Sequence, residues 1–198
     1  MKTKPIRRSN GFTLIELLVV ISIIAVLAGG GFAAGNAAIQ KAKRTTCLAT
    51  CVALEVAINN FYNEYGSMPI NALGDADQEV NLNTGPGLTL LNALLGTEEG
   101  ANALNPRKIK FLTVKQGKNK KDGLSYTAAN KVDKLYDPWG GPFFVKIAGY
   151  QDDVLKVKTQ GESVEASLNG RKAAAWSNGA DGGENGNRGK AVDNVKTW

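Results

Sequence analysis

A single carboxylate, Glu16, interrupts the apolar sequence GFTLIELLVVISIIAVLA (Gly11 to Ala28). A carboxylate within a membrane helix costs about 2.5–3.5 kcal/mol at the helix centre and less near an end. The stretch offers no opposite charge to offset that cost. If the chain were cut between Gly11 and Phe12, a new α-amino group would stand one helical turn from Glu16. Copies packed side by side with a stagger could then pair the Glu16 of one with the ammonium of the next. Low dielectric is where such a pair is worth most. The chemistry would be processing and assembly: cleavage exposes a charge, and polymerisation neutralises it.

The other reactive groups are few. The chain has two cysteines, Cys47 and Cys51, and no histidine. That excludes the usual zinc sites and any catalysis through imidazole. Four-residue spacing puts both thiols on one helix face, in the series Cys47, Cys51, Leu54, Ile58, Phe61, Tyr65. Small buried hydrophobes is the simpler reading of the two, ahead of a disulfide or redox pair. No Ser-Lys or acid pair stands in a recognisable motif, so the reading is of a protein that is not an enzyme.

The elements that position Glu16 follow from hydropathy. From Phe12 to Ala38 only Thr13, Glu16, Ser22 and Asn36 are clearly polar. As a helix this stretch measures about 40 Å, enough to cross a hydrocarbon core of about 30 Å. Lys2, Lys4, Arg7 and Arg8 precede it as a positive flank of the kind that stays cytoplasmic. They account for most of the net charge of +6: the remaining 20 basic residues barely exceed the 18 acidic ones. KQGKNKK (Lys115 to Lys121) is a dense basic cluster in a Gly/Asn-rich loop, and a nucleic-acid partner is not expected. A secretory signal with a cleavage site in FAAGNAA (Phe32 to Ala38), or a plain membrane anchor, would each leave Glu16 unexplained.

No proline separates the apolar run from the amphipathic series, so Phe12 to Tyr65 reads as one long helix. Gly29, Gly30, Gly31 and Gly35 are its weak point, where bending or local melting is expected. EYGSMP (Glu64 to Pro69) ends it. GLTLLNALLG (Gly87 to Gly96) reads as a short amphipathic helix and KIKFLTV (Lys108 to Val114) as a strand. PFFVKIAGYQDDVLKVKT (Pro142 to Thr159) reads as two strands, and RKAAAW (Arg171 to Trp176) as a third. The Gly/Asn/Asp-rich tail is a loop. The fold class is α+β, with a long N-terminal helix packed on a small antiparallel sheet and a polar C-terminal loop.

Gly11 to Ala28 resembles the N-terminal signature of type IV pilins and type II secretion pseudopilins. YDPWGGPFFVKI (Tyr136 to Ile147) is similar to the "DPWG-P" segment of major pseudopilins, and AWSNGADGGENGNRGKAVDNVKTW to their closing segment. The resemblance implies the type IV pilin-like fold, with a leader over residues 1–11, a transmembrane and assembly helix over 12–38 and a periplasmic domain over 39–198. It implies cleavage after Gly11 by a prepilin peptidase, methylation of Phe12 and an assembly role for Glu16. The function implied is that of a subunit polymerising into a pseudopilus that drives type II protein export, with a type IV pilus or DNA-uptake pilin as the alternative. Implied partners are further copies of the chain, an inner-membrane assembly platform with its ATPase, minor pseudopilins, a secretin and membrane lipid. The location implied is the inner membrane, in a single pass. In major pseudopilins a calcium ion ties the closing loop, and Asp181 and Asp193 match the expected carboxylates. Where the family often has two adjacent acids, this chain has Val192 and Asp193, so Glu184, Asn185 or Asn194 would complete the set. A loop held by hydrogen bonds without metal stays open as the alternative. Trp176 and Trp198 are expected to pack this loop, and Trp139 to anchor its turn into the sheet.

Overall fold

The computed structural model describes residues 11–70, 74, 76–149, 153–181 and 193–198, with backbone alone at 30–33. Two compact units result, Met1–Ala42 and Lys43–Trp198. Helix α1, Leu14–Tyr65, contributes to both. It is unbroken through Gly29, Gly30, Gly31 and Gly35, so the expected melting does not occur. Each glycine costs about 1 kcal/mol against alanine, a local cost that leaves the surrounding hydrogen-bond ladder intact.

The large apolar side chains of the first unit are exposed on every face of the helix, from Leu14 and Ile15 to Val26 and Leu27. A helix hydrophobic all round belongs in lipid or among other helices. It is long and apolar enough to cross a membrane.

In the second unit α1 becomes one-sided. Cys47, Cys51, Leu54, Ile58 and Phe61 are buried, as their spacing predicts, while Leu48, Val52 and Val56 on other faces are exposed. The helix stops at Gly66, whose φ of 67° suits glycine and whose N–H bonds Tyr62 O at 2.8 Å. Strand β1 (Gln78–Asn81) leads into α2 (Gly85–Leu95). Gly96 closes α2 at φ 68°, its N–H bonding Ala93 O while Thr97 N–H bonds Asn92 O. These two bonds are the Schellman closure of a helix.

Six further strands follow: β2 (Gly123–Tyr126), β3 (Val132–Tyr136), β4 (Phe143–Ile147), β5 (Val154–Val157), β6 (Ala166–Asn169) and β7 (Ala173–Ser177). A short β8 (Val195–Lys196) comes last. The main sheet is antiparallel in the order β1-β4-β7-β8, and β2-β3 and β5-β6 form separate antiparallel pairs. Side chains alternate across it. Phe143, Val145, Ile147, Ala173 and Ala175 join the core made by α1 and α2. Phe144, Ala174 and Trp176 join a second cluster with Leu155 and Val157 of β5. Both faces of the central strands are thus covered, which is why β7 is buried at every position.

KIKFLTV is not a strand. It runs past the end of α2 without strand pairing, and the N–H groups of Phe111 and Leu112 both bond Leu94 O at 2.9 Å. Buried Asn105 sets this course. Its Oδ1 accepts from Tyr65 Oη (2.7 Å) and Ile109 N–H (3.0 Å), and its Nδ2 donates to Ala93 O and Ile109 O (both 2.7 Å). A fully satisfied buried amide therefore ties the end of α1 to the end of α2 and leaves no partner strand for the segment.

Candidate functional site

The N-terminal site forms where the chain enters α1. Gly11, Phe12 and Thr13 precede the helix, Phe12 is 75 % exposed, and Glu16 lies in the first turn. The Glu16 carboxylate is not left alone. Its Oε2 accepts from Thr13 N–H (2.9 Å) and Thr13 Oγ1 (2.7 Å), while Thr13 Oγ1 accepts from Glu16 N–H (3.3 Å). This is a capping box of the form Thr-x-x-Glu, the reciprocal bonding that satisfies the free N–H groups opening a helix. The sequence reading sought a charged partner and overlooked these neutral donors, although the four-residue pattern was there to be read. The position also sets the carboxylate at the positive end of the helix dipole. Cleavage between Gly11 and Phe12 would preserve the box, since the Thr13 N–H belongs to the Phe12–Thr13 peptide.

The second site is the C-terminal loop. The turn Asp137–Gly141 is built on the Asp137 carboxylate, which is buried. Its Oδ1 accepts the N–H groups of Trp139 (2.9 Å), Gly140 (2.7 Å) and Gly141 (2.7 Å). Ser177, the last residue of β7, donates its hydroxyl to Asp137 Oδ2 at 2.5 Å and accepts Gly179 N–H at 3.1 Å. Gly179 has φ 74° and lies so close to Asp193 that a Cβ would meet Asp193 O at 2.2 Å. A 3₁₀ turn, Gly179–Asp181, follows. It brings the two acids together: Asp181 N–H donates to Asp193 Oδ2 at 3.1 Å.

Asp193 Oδ1 and Asn194 Oδ1 are buried without a hydrogen-bond partner among the described residues. Asn194 turns its nitrogen to Thr159 Oγ1 (2.7 Å) and Gln160 O (3.0 Å). Among the described residues no three His, Cys, Asp or Glu side chains cluster as metal ligands. Glu184 and Asn185 lie outside the described residues. The unbonded hard oxygens of Asp193 and Asn194 fit a calcium ion better than a softer metal.

Trp176 is buried and stacks on Phe144 with ring centroids 5.6 Å apart, and Trp198 meets it edge-on at 5.7 Å. These rings pack on one another and on the second cluster, while residues 182–192 of the loop they are expected to pack lie outside the described residues. Trp139 is half-buried and packs on the main core. The tail is more than a loop, since β8 adds a strand to the sheet.

Cys47 and Cys51 are free and buried, with Cys51 Sγ 3.9 Å from Val195 O. The bond from Cys47, and then burial, push the Cys51 thiol up, so it stays protonated and packs as a small hydrophobe. Elsewhere a groove of about 830 Å³ beside α2 contains Glu98, Glu99 and Lys131. Lys131 Nζ bonds Glu99 at 2.7 Å and holds that carboxyl below its usual range, while Glu98 accepts Asn105 N–H at 2.8 Å. Both carboxylates there are tied into the local structure.

Residues 6–32 match the prokaryotic N-terminal methylation motif. The match supports a type IV pilin-like subunit, made as a prepilin. It implies processing by a prepilin peptidase and pilus-like assembly, and with the apolar helix it is compatible with a single-pass anchor. No solved structure matches the chain.

Proposed function

We propose that the chain is the repeating subunit of a type II secretion pseudopilus. One observation carries the reading: the Gly11–Phe12 joint stands just ahead of a membrane-length helix whose first turn holds a carboxylate. Cleavage after Gly11 and methylation of Phe12 leave a charged amine beside Glu16. In the assembled fibre the carboxylate of one copy pairs with the amine of the next. The globular unit then lies in the periplasm, and the fibre grows from an inner-membrane platform driven by its ATPase.

The C-terminal half supports a secretion pseudopilus over an adhesive pilus. Both cysteines lie in α1, so no disulfide within the chain can close the loop after β7. In its place we assign a calcium ion to Asp181 and Asp193, with the unbonded oxygen of Asn194 as a further ligand. Bound there, calcium would neutralise the two acids and cross-link the ends of the loop.

Intact mass of the chain extracted from membranes tests the processing. Loss of Met1 to Gly11 with the gain of one methyl group is the expected result. A precursor that keeps its leader in assembled fibres would overturn the reading.

A further inference from the structure

The geometry points to Ser177 and Asp137 as positioning residues that hold Asp181 and Asp193, at the two ends of the C-terminal loop, in place for a cation. This rests on the calcium reading and adds to it the device that shapes the site. Asp137 opens a turn, Ser177 ends β7, and the two meet in the interior. Asp137 is 1 % and Ser177 0 % exposed.

Asp137 has every donor it needs on one oxygen: three N–H groups converge on Oδ1 and fix the carboxylate in its turn. Oδ2 is therefore presented in one direction, to the Ser177 hydroxyl. A hydroxyl that donates to an ionised carboxylate is oriented by it, and such charge-assisted bonds are about twice as strong as neutral ones. The orientation leaves the Ser177 lone pairs for a donor, and Gly179 N–H fills that role.

Gly179 passes the constraint on by contact. Its α-carbon lies against the Asp193 backbone and carboxylate with no room for a side chain. Asp181, two residues on, then donates its N–H to the same Asp193 carboxylate. A continuous series of contacts thus runs from the Asp137 turn through Ser177 and Gly179 to the acid pair. Groups that orient ligands from behind typically change metal affinity 10–100-fold when removed.

The test is calorimetric titration of calcium into the full-length, detergent-solubilised chain, with melting temperature measured in parallel without calcium. Ser177→Ala is expected to raise the calcium Kd roughly 10–100-fold. Asp137→Asn keeps an oxygen for the three N–H groups but replaces the acceptor facing Ser177 with a donor, and should raise the Kd in the same sense. Leu90→Ala, a buried core change in α2, is the control for stability alone: it lowers the melting temperature and leaves the Kd unchanged. If the wild type binds calcium and Ser177→Ala binds it equally well, or shifts the Kd no more than Leu90→Ala does, the positioning role is refuted and the cation site stands. If the wild type binds no calcium, the site and the role both fall.

Discussion

Replacing Glu16 by glutamine separates two jobs that alanine would remove together. The first is the cap, in which an oxygen accepts from Thr13 N–H at 2.9 Å and Thr13 Oγ1 at 2.7 Å. Glutamine retains such an oxygen and serves in capping boxes as glutamate does. The second is the charge proposed to pair with a neighbour's amine, which glutamine lacks. Losing a cap costs about 1 kcal/mol, and that loss falls on the membrane-held subunit and the fibre subunit alike. Opposite unit charges 4 Å apart attract by about 4 kcal/mol at an effective dielectric of 20, and this term exists only in the fibre. Even if desolvation cancels a good part of it, on the order of a hundredfold remains in the assembly equilibrium. Glu16→Gln should therefore insert and be cleaved like the wild type. Sheared-fibre yield, normalised to membrane subunit, should fall about as far as in Glu16→Ala. If Glu16→Gln assembles normally while Glu16→Ala fails, the carboxylate is a cap and the charge-pairing reasoning is wrong.

Three other outcomes follow from the globular unit. Phe61 is buried with its ring 4.7 Å from Tyr65 and 5.2 Å from Phe111, so Phe61→Ala should lower unfolding free energy by about 3–5 kcal/mol in a denaturant titration. Chelating calcium should lower the melting temperature of the purified chain, by the equivalent of about 2.7 kcal/mol if calcium was at a hundred times its Kd; an unchanged value would favour a metal-free loop. Burial pushes the Glu162 carboxyl up, but the Lys196 ammonium at 2.5 Å and Thr159 N–H at 3.1 Å outweigh it and hold it below its ordinary value. Stability from a lowered acid is present above its unfolded pKa and lost as pH falls through the folded one. The advantage of wild type over Glu162→Gln should accordingly shrink as pH falls below the ordinary glutamate pKa of about 4.3 in thermal melts.

What could be read from sequence followed from local period. The α1 stripe from Cys47 to Phe61 repeats at helical spacing and is buried as the spacing requires. GLTLLNALLG, with glycine at its end, became α2 for equally local reasons. KIKFLTV alternates as a strand does, yet pairs with none, because Leu94 O and the Asn105 amide take up its backbone groups. Nothing local announces those partners. The strands β1 (QEVN), β2 (GLSY) and β6 (ASLN) hold too few apolar residues to show a strand pattern, unlike the equally short VLKV of β5. The bond from Ser177 to Asp137 spans 40 residues and depends on β4 lying beside β7. The DPWG-P segment and the closing segment are each legible in the sequence; their connection is a property of the sheet.

The cap also changes what assembly must supply. A bare carboxylate at the edge of a membrane helix would need its counter-ion from the outset, before any neighbour was present. Here Thr13 donates twice to Oε2, and the helix dipole adds a favourable field. A single subunit is therefore tolerable in the membrane, and insertion need not wait for polymerisation. Both bonds fall on one oxygen, however, and an ionised carboxylate accepts at two oxygens. Oε1 has no partner in the capping box. An incoming ammonium can bind there without breaking the cap, so the proposed pairing adds to the existing bonds instead of competing with them. The capping box would then persist from membrane to fibre, and the proposed pairing would contribute to assembly whatever desolvation leaves of it.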